Sequence, residues 1–229
     1  MKHWLLFFIA TLTFLSTAQE AKIKTEIVTI ALDEFVEGKF FHNGKEITEF
    51  SANSTGIGEM MRYEGSSKFV LRNAKEEFSQ DTPPTPAAWV ELPADSDRVL
   101  LACVKSKDKP LRLVAYDIGS AKVSSGDYRV FNFSRSAISV ILGSEKIAIN
   151  AGANQTISNN KWKKEITEID VLFGMVKDQE VRPVYSSQWG HRPGRRNYIF
   201  IFDSPLEYNP LHICRYYDIA PRPAEKAIQ

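Results

Sequence analysis

Apolar residues in this chain come in short runs broken by turn-forming residues, and the spacing is that of strands. Residues 27–32 (Ile-Val-Thr-Ile-Ala-Leu) open the series and are rich in β-branched side chains. Residues 39–42 and 45–50 flank Asn43-Gly44, a pair that tolerates positive φ, so the pattern predicts a hairpin closed by a two-residue type I′ turn. His42 beside that turn is expected to be a solvated strand residue. Further strands are predicted at 68–72, 89–92, 98–104, 111–116, 128–133, 138–142, 147–149, 181–186, 198–202 and 211–217. The unbroken apolar run 198–202 implies a strand covered on both faces. Between 162 and 176 the pattern fits two templates. Trp162, Ile166, Ile169, Phe173 and Val176 have helical spacing, whereas Ile169, Val171, Phe173 and Met175 alternate; the β-branched content and Gly174 favour a strand, turned back by residues 177–180. Residues 51–58 and the proline-bearing 79–86 are loops, because proline cannot donate to a sheet ladder. No internal repeat is visible.

Many short strands with regular turns predict an all-β protein of two tandem antiparallel β-sandwich domains, immunoglobulin-like in kind, with one elongated sandwich as the alternative. The polar, glycine-bearing stretch 118–127 marks the division, giving domains at 19–118 and 119–219 and a flexible tail at 220–229 with two prolines.

The first eighteen residues have a different pattern. Lys2 and His3 precede an apolar run from Trp4 to Leu15, and Ser16-Thr17-Ala18 supplies small residues before Gln19, the three-part layout of a secretory signal peptide. The run is shorter than the roughly 20 residues of a membrane span. Export to the periplasm or medium is therefore expected, without stable membrane insertion once residues 1–18 are removed. Lys2 is the one Lys, Arg, Asp or Glu among them, so the mature chain carries 28 basic and 28 acidic residues. This balance gives no global attraction to nucleic acid. Hydrophobic residues at 43% and charged residues at 25% allow an ordinary core.

Export permits a disulfide between the two cysteines, Cys103 and Cys214. Both lie in apolar, strand-like contexts, so buried free thiols are the other reading.

Four phrases stand together in order: Met61-Arg62-Tyr63-Glu64-Gly65 leading into Phe69; Glu91-Leu92-Pro93-Ala94 with Arg98-Val99-Leu100-Leu101; Gly126-Asp127-Tyr128-Arg129-Val130-Phe131; and Tyr185-Ser186-Ser187-Gln188-Trp189 running into Arg192-Pro193-Gly194-Arg195-Arg196. Over residues 60–202 the chain resembles a group of uncharacterised exported bacterial proteins, found in Verrucomicrobia and relatives, that look like tandem β-sandwiches. The resemblance implies the fold and supplies no activity.

The densest surface candidate is the 188–197 segment, with Trp189, His191, Arg192, Arg195 and Arg196. Arginine forks pair with carboxylate or phosphate and stack on rings, so this segment is the expected contact with an anionic glycan or an envelope protein. The opposing reading plugs Trp189 into a sandwich end and pairs the arginines with nearby carboxylates. A second basic cluster, Lys161-Trp162-Lys163-Lys164, is offset by Glu165 and Glu168. There is no Gly-x-Ser-x-Gly elbow, His-Glu-x-x-His, paired Cys-x-x-Cys or phosphate loop. No cofactor is expected, and the three histidines of the mature chain lack ligand spacing, so neither is a metal. The expected function is a non-enzymatic binding or structural module. The alternatives are a periplasmic assembly chaperone and a cell-wall enzyme using Cys214, with His212 on the same strand face.

Overall fold

The computed structural model describes residues 22–219, apart from positions 33, 55, 107–108, 178–179 and 207. The expected signal peptide, residues 1–18, and the expected tail, residues 220–229, lie outside the described residues. The chain is all-β, and its strands fall into two sets of eight. The first set is β1 (Lys22–Ala31), β2 (Val36–His42), β3 (Ile47–Ala52), β4 (Met61–Ser66), β5 (Lys68–Leu71), β6 (Ala88–Glu91), β7 (Arg98–Ser106) and β8 (Lys109–Asp117). The second is β9 (Tyr128–Asn132), β10 (Ile138–Leu142), β11 (Glu145–Ile149), β12 (Asn154–Ile157), β13 (Thr167–Lys177), β14 (Glu180–His191), β15 (Arg195–Leu206) and β16 (Asn209–Ile219). One 3-10 turn, Lys75–Phe78, is the only helical element among the described residues.

The two sets share one topology. Sheet order is β4-β1-β7-β8 in the first and β12-β9-β15-β16 in the second, so adding eight to each strand number converts one into the other. The partner sheets follow the same rule: β11-β10-β13-β14 in the second set, and the hairpins β2–β3 and β5–β6, joined by a Phe40–Arg72 bridge, in the first. Pairing is antiparallel except at the centre of each larger sheet, where β1 lies parallel to β7 and β9 parallel to β15. Equivalent hydrogen bonds close both units: Leu32 N to Cys103 O at 2.9 Å matches Phe133 N to Ile201 O at 2.8 Å. The sequence shows no repeat because alternation, not particular side chains, is what this topology needs.

Strand alternation builds three cores in a stack. Ile27, Val99, Leu101 and Cys103 point into the first sandwich with Phe41, Phe50 and Phe69. Val130, Ile199 and Ile201 point into the second with Val140, Val171 and Phe173. Between them the opposite faces meet, joining Val28, Ile30, Leu100 and Ala102 to Phe131, Tyr198 and Phe200. The unbroken apolarity of 198–202 reflects this double cover. Ile118 and Val123, in the stretch expected to be a polar divider, are fully buried in this middle core.

Several local expectations change. The hairpin forms, but His42 pairs with Ile47, so residues 43–46 make a four-residue turn instead of a type I′ pair. Asn43 holds it by accepting the Lys45 and Glu46 amides at 2.9 and 3.0 Å on its Oδ1. The ambiguous segment is a strand only from Thr167; Trp162 sits in the preceding turn, buried against Tyr128. Strands β4 and β12 are sheet edges that the apolar pattern did not reveal. Strands β14 and β15 extend well past 181–186 and 198–202, which shrinks the connection between them to residues 192–194.

Candidate functional site

β1 supplies a site because its outer half extends beyond the cover of the second sandwich. Alternate residues share a face. Val28 and Ile30 are buried on the face turned to the second sandwich, whereas Lys24 on the same face is exposed and Glu26 half-buried. On neighbouring β4, Glu64 stands opposite Lys24 and Arg62 opposite Glu26. The β2–β3 turn folds over β4, with Glu64 N donating to Asn43 O at 2.9 Å, and so brings Lys45 to the same place. Gly44 is required there: its φ is +101°, and a Cβ would lie 1.6 Å from Glu64 O. The linker closes the far side with Ser120, Ser124 and Ser125.

The result is a cleft of about 920 Å³ at the seam of the two sandwiches. Five cations line it (Lys24, Lys45, Arg62, Arg98 and Arg196) together with Glu26, Glu64 and Asp97. Lys24, Lys45 and Arg62 are exposed and ion-paired with none of the described carboxylates. Arg98 and Arg196 form the floor and are buried. Arg98 donates to Glu26 Oε2 at 2.6 Å and to Asp218 Oδ2 at 3.2 Å, while Arg196 donates to both oxygens of Asp218 at 2.9 and 2.7 Å. Arg98 lies five residues before Cys103 and Arg196 five before Ile201, so the closing hydrogen bonds make them equivalent positions of the two units. Burial pushes the Asp218 carboxyl up to about 6, against the pull of Arg98.

The residues singled out in the sequence separate. Trp189 is buried in the second core, its Nε1–H bonded to Tyr185 Oη at 3.0 Å and Arg215 stacked 4.7 Å over the ring. His191 is 1% exposed. Its Nε2 contacts Trp162 O at 2.6 Å and its Nδ1 contacts Tyr128 Oη at 3.0 Å. Since a carbonyl only accepts, Nε2 carries the hydrogen and Nδ1 accepts from the tyrosine, which fixes the neutral tautomer. Burial lowers its proton affinity, and Arg215 adds to that. Arg195 is half-buried and stacks 3.8 Å from the Tyr217 ring centre; Arg192 is exposed. The expected recognition loop therefore spends Trp189, His191 and Arg196 on the protein's own interior, because the flanking strands continue through it. Arg196 alone of these five lines the cleft. Lys24, Lys45, Arg62, Arg98 and Asp218 were missed. The alternating charges of Lys22-Ile23-Lys24-Thr25-Glu26 signal a polar strand face, but nothing local signals what that face meets.

The cysteines are free thiols in different layers, Cys103 in the first core and Cys214 against the middle one, so no Cys103–Cys214 bridge forms. Cys214 Sγ lies 3.0 Å from His212 Nε2, the base that the sequence pattern left open. Burial nevertheless pushes the Cys214 thiol up, with Tyr216 pulling the other way, which opposes the thiolate a nucleophile needs. Among the described residues no group of three or more His, Cys, Asp or Glu could hold a metal ion, and no helix is long and apolar enough to cross a membrane.

Set against known proteins, this chain matches no family model and no curated sequence.

Proposed function

We propose that the protein is an exported, non-enzymatic binding module of the bacterial envelope whose seam cleft holds an anionic ligand, with an acidic glycan as the ligand class. The observation that carries this reading is the convergence on one cleft of Lys24, Lys45 and Arg62, three cations that form no ion pair with the described carboxylates. Its volume falls within the roughly 300–1,000 Å³ of small-ligand sites, and its place between two domains is a common one for them. The N-terminal layout and the resemblance to exported tandem sandwiches support the address. Electrostatic capture by exposed cations is screened by salt, so binding should weaken as ionic strength rises.

The test is calorimetric titration of the mature protein with tri-galacturonate, with a neutral trisaccharide as the control. The triple variant Lys24→Ala, Lys45→Ala, Arg62→Ala should bind about tenfold or more weakly, since each charge-assisted contact is worth about 1 kcal/mol or more. Arg192→Ala with Arg195→Ala should leave binding unchanged. Undiminished binding by the triple variant sinks the assignment to this cleft.

The Cys214–His212 contact favours one second reading, the cysteine-dependent enzyme. Thiol labelling at neutral pH separates the two. Slow alkylation of Cys214, at the rate of an ordinary thiol, is expected for a binding module; a fast-reacting thiolate would favour the enzyme.

A further inference from the structure

The floor of the cleft contains a chain of alternating charges, Glu26–Arg98–Asp218–Arg196, that crosses the seam. Arg98 comes from the first unit, and Asp218 and Arg196 come from the second. Asp218 thus sits between two guanidiniums that themselves line the cleft. We propose that Asp218 is a proton-operated clasp: ionised, it holds Arg196 and one arm of Arg98 within the protein, and protonated, it turns Arg196 and that arm of Arg98 over to an anionic ligand while Glu26 keeps the other, so the cleft takes up anions more tightly in mild acid than at neutral pH. The proposal rests on the reading of the cleft as an anion site.

The physical argument is one of charge and donors. Ionised, Asp218 brings the carboxylates to four against five cations; protonated, it leaves three against five. An arginine cannot shed its own proton, so the Arg196 fork loses its charged partner, Arg98 keeps Glu26 alone, and the donors that faced Asp218 must find another acceptor. The Asp218 side chain is 17% exposed, and its burial favours the neutral acid. The charged and titratable groups around it are Glu26 on β1, Arg62 on β4, Asp97 just before β7, Arg98 on β7, Arg195, Arg196 and Tyr198 on β15, and Tyr217 on its own strand. Burial and the nearby Asp218 charge push the Tyr198 hydroxyl up, so it stays neutral. Glu26, Glu64 and Asp97 are the other carboxylates that the experiment must separate from Asp218. By linkage, a ligand that prefers the protonated form raises the proton affinity of Asp218 by the same factor.

Asp218→Asn keeps the shape and removes the charge, mimicking the protonated clasp. Tri-galacturonate, whose carboxylates stay ionised over the range, is titrated at about pH 7.5 and about pH 5. Wild type should tighten about tenfold on acidification, whereas Asp218→Asn should bind tightly at both values. A flat wild-type profile overturns the clasp, and so does a variant that keeps the wild-type step, which would place its origin outside Asp218. A second measurement needs neither ligand nor variant. Carboxyl-carbon NMR of the wild type should show Asp218 titrating near pH 6, with the Arg98 and Arg196 Nε signals moving in step. A carboxyl still ionised at about pH 4 overturns the proposal. If the probe binds at no pH, the reading of the cleft falls, while the carboxyl and guanidinium titration still decides the clasp.

Discussion

His191 carries a pH dependence that can be argued from its two hydrogen bonds. Protonating Nδ1 would remove the acceptor for the Tyr128 hydroxyl and set a second cation near Arg215. The folded imidazole therefore takes a proton at lower pH than the unfolded one, whose value is about 6.5. The unfolded state binds more protons below that point, so this contribution is full above about pH 6.5 and is lost as the pH falls. His191→Gln should destabilise by about 1–3 kcal/mol near neutrality, the cost of disturbing buried polar partners. That deficit should shrink toward about pH 5 in urea unfolding. A deficit that is constant with pH would show that the imidazole does not titrate against folding. Asp218 acts in the opposite sense, because its raised value makes the folded state the one that binds the extra proton between about pH 4 and 6. At this scale the sequence exposed residue types but not their surroundings. Trp189, His191 and Arg196 have the composition of a recognition loop, and only strand continuation turned them inward.

Strands were legible where alternation or apolar runs were strong, and their ends were not. The pattern located the cores of β7, β9, β10 and β15, whose side chains are buried on at least one face. It missed β4 and β12, where edge position leaves one face and one backbone edge to water and removes the demand for apolar residues. Three long edge strands each carry a proline: Pro110 on β8, Pro183 on β14 and Pro210 on β16. Proline lacks a ladder donor, so these edges are poor templates for an added strand, which argues against the chaperone alternative. Two glycines test the element scale. Gly44→Ala would drive a Cβ into Glu64 O at a positive φ and should cost about 3 kcal/mol or more in chemical unfolding. Gly174→Ala, at the β13–β14 register shift, would meet Val181 Cγ1 at 2.6 Å and Arg182 O at 3.0 Å, with an expected cost of about 1–3 kcal/mol. Neutral outcomes at both positions would mean that the turn and the bulge relax freely.

The middle core joins two units of identical topology into one stack, and it is where their stabilities meet. Phe131 and Phe200 lie side by side in the parallel β9–β15 register, rings stacked at 5.0 Å, beneath Leu100 and Ala102 of the first unit. Phe200→Ala should cost about 3–5 kcal/mol. Amide exchange protection should fall in both units, at Ile27 and Val99 as well as at Val171 and Phe173. Loss confined to the second unit would show that the sandwiches unfold independently. By itself the sequence determined the secondary-structure class, the positions of most buried strands and the layout of the N-terminus, because alternation, β-branching and turn chemistry act between neighbours in the chain. Only the tertiary structure decided that the chain is built twice on one plan, that its sandwiches pack face to face, and that Lys24, Lys45, Arg62, Arg98 and Arg196 share a cleft floored by Asp218. These residues come from β1, the β2–β3 turn, β4, β7, β15 and β16, and a contact between segments so far apart leaves no local periodicity to read.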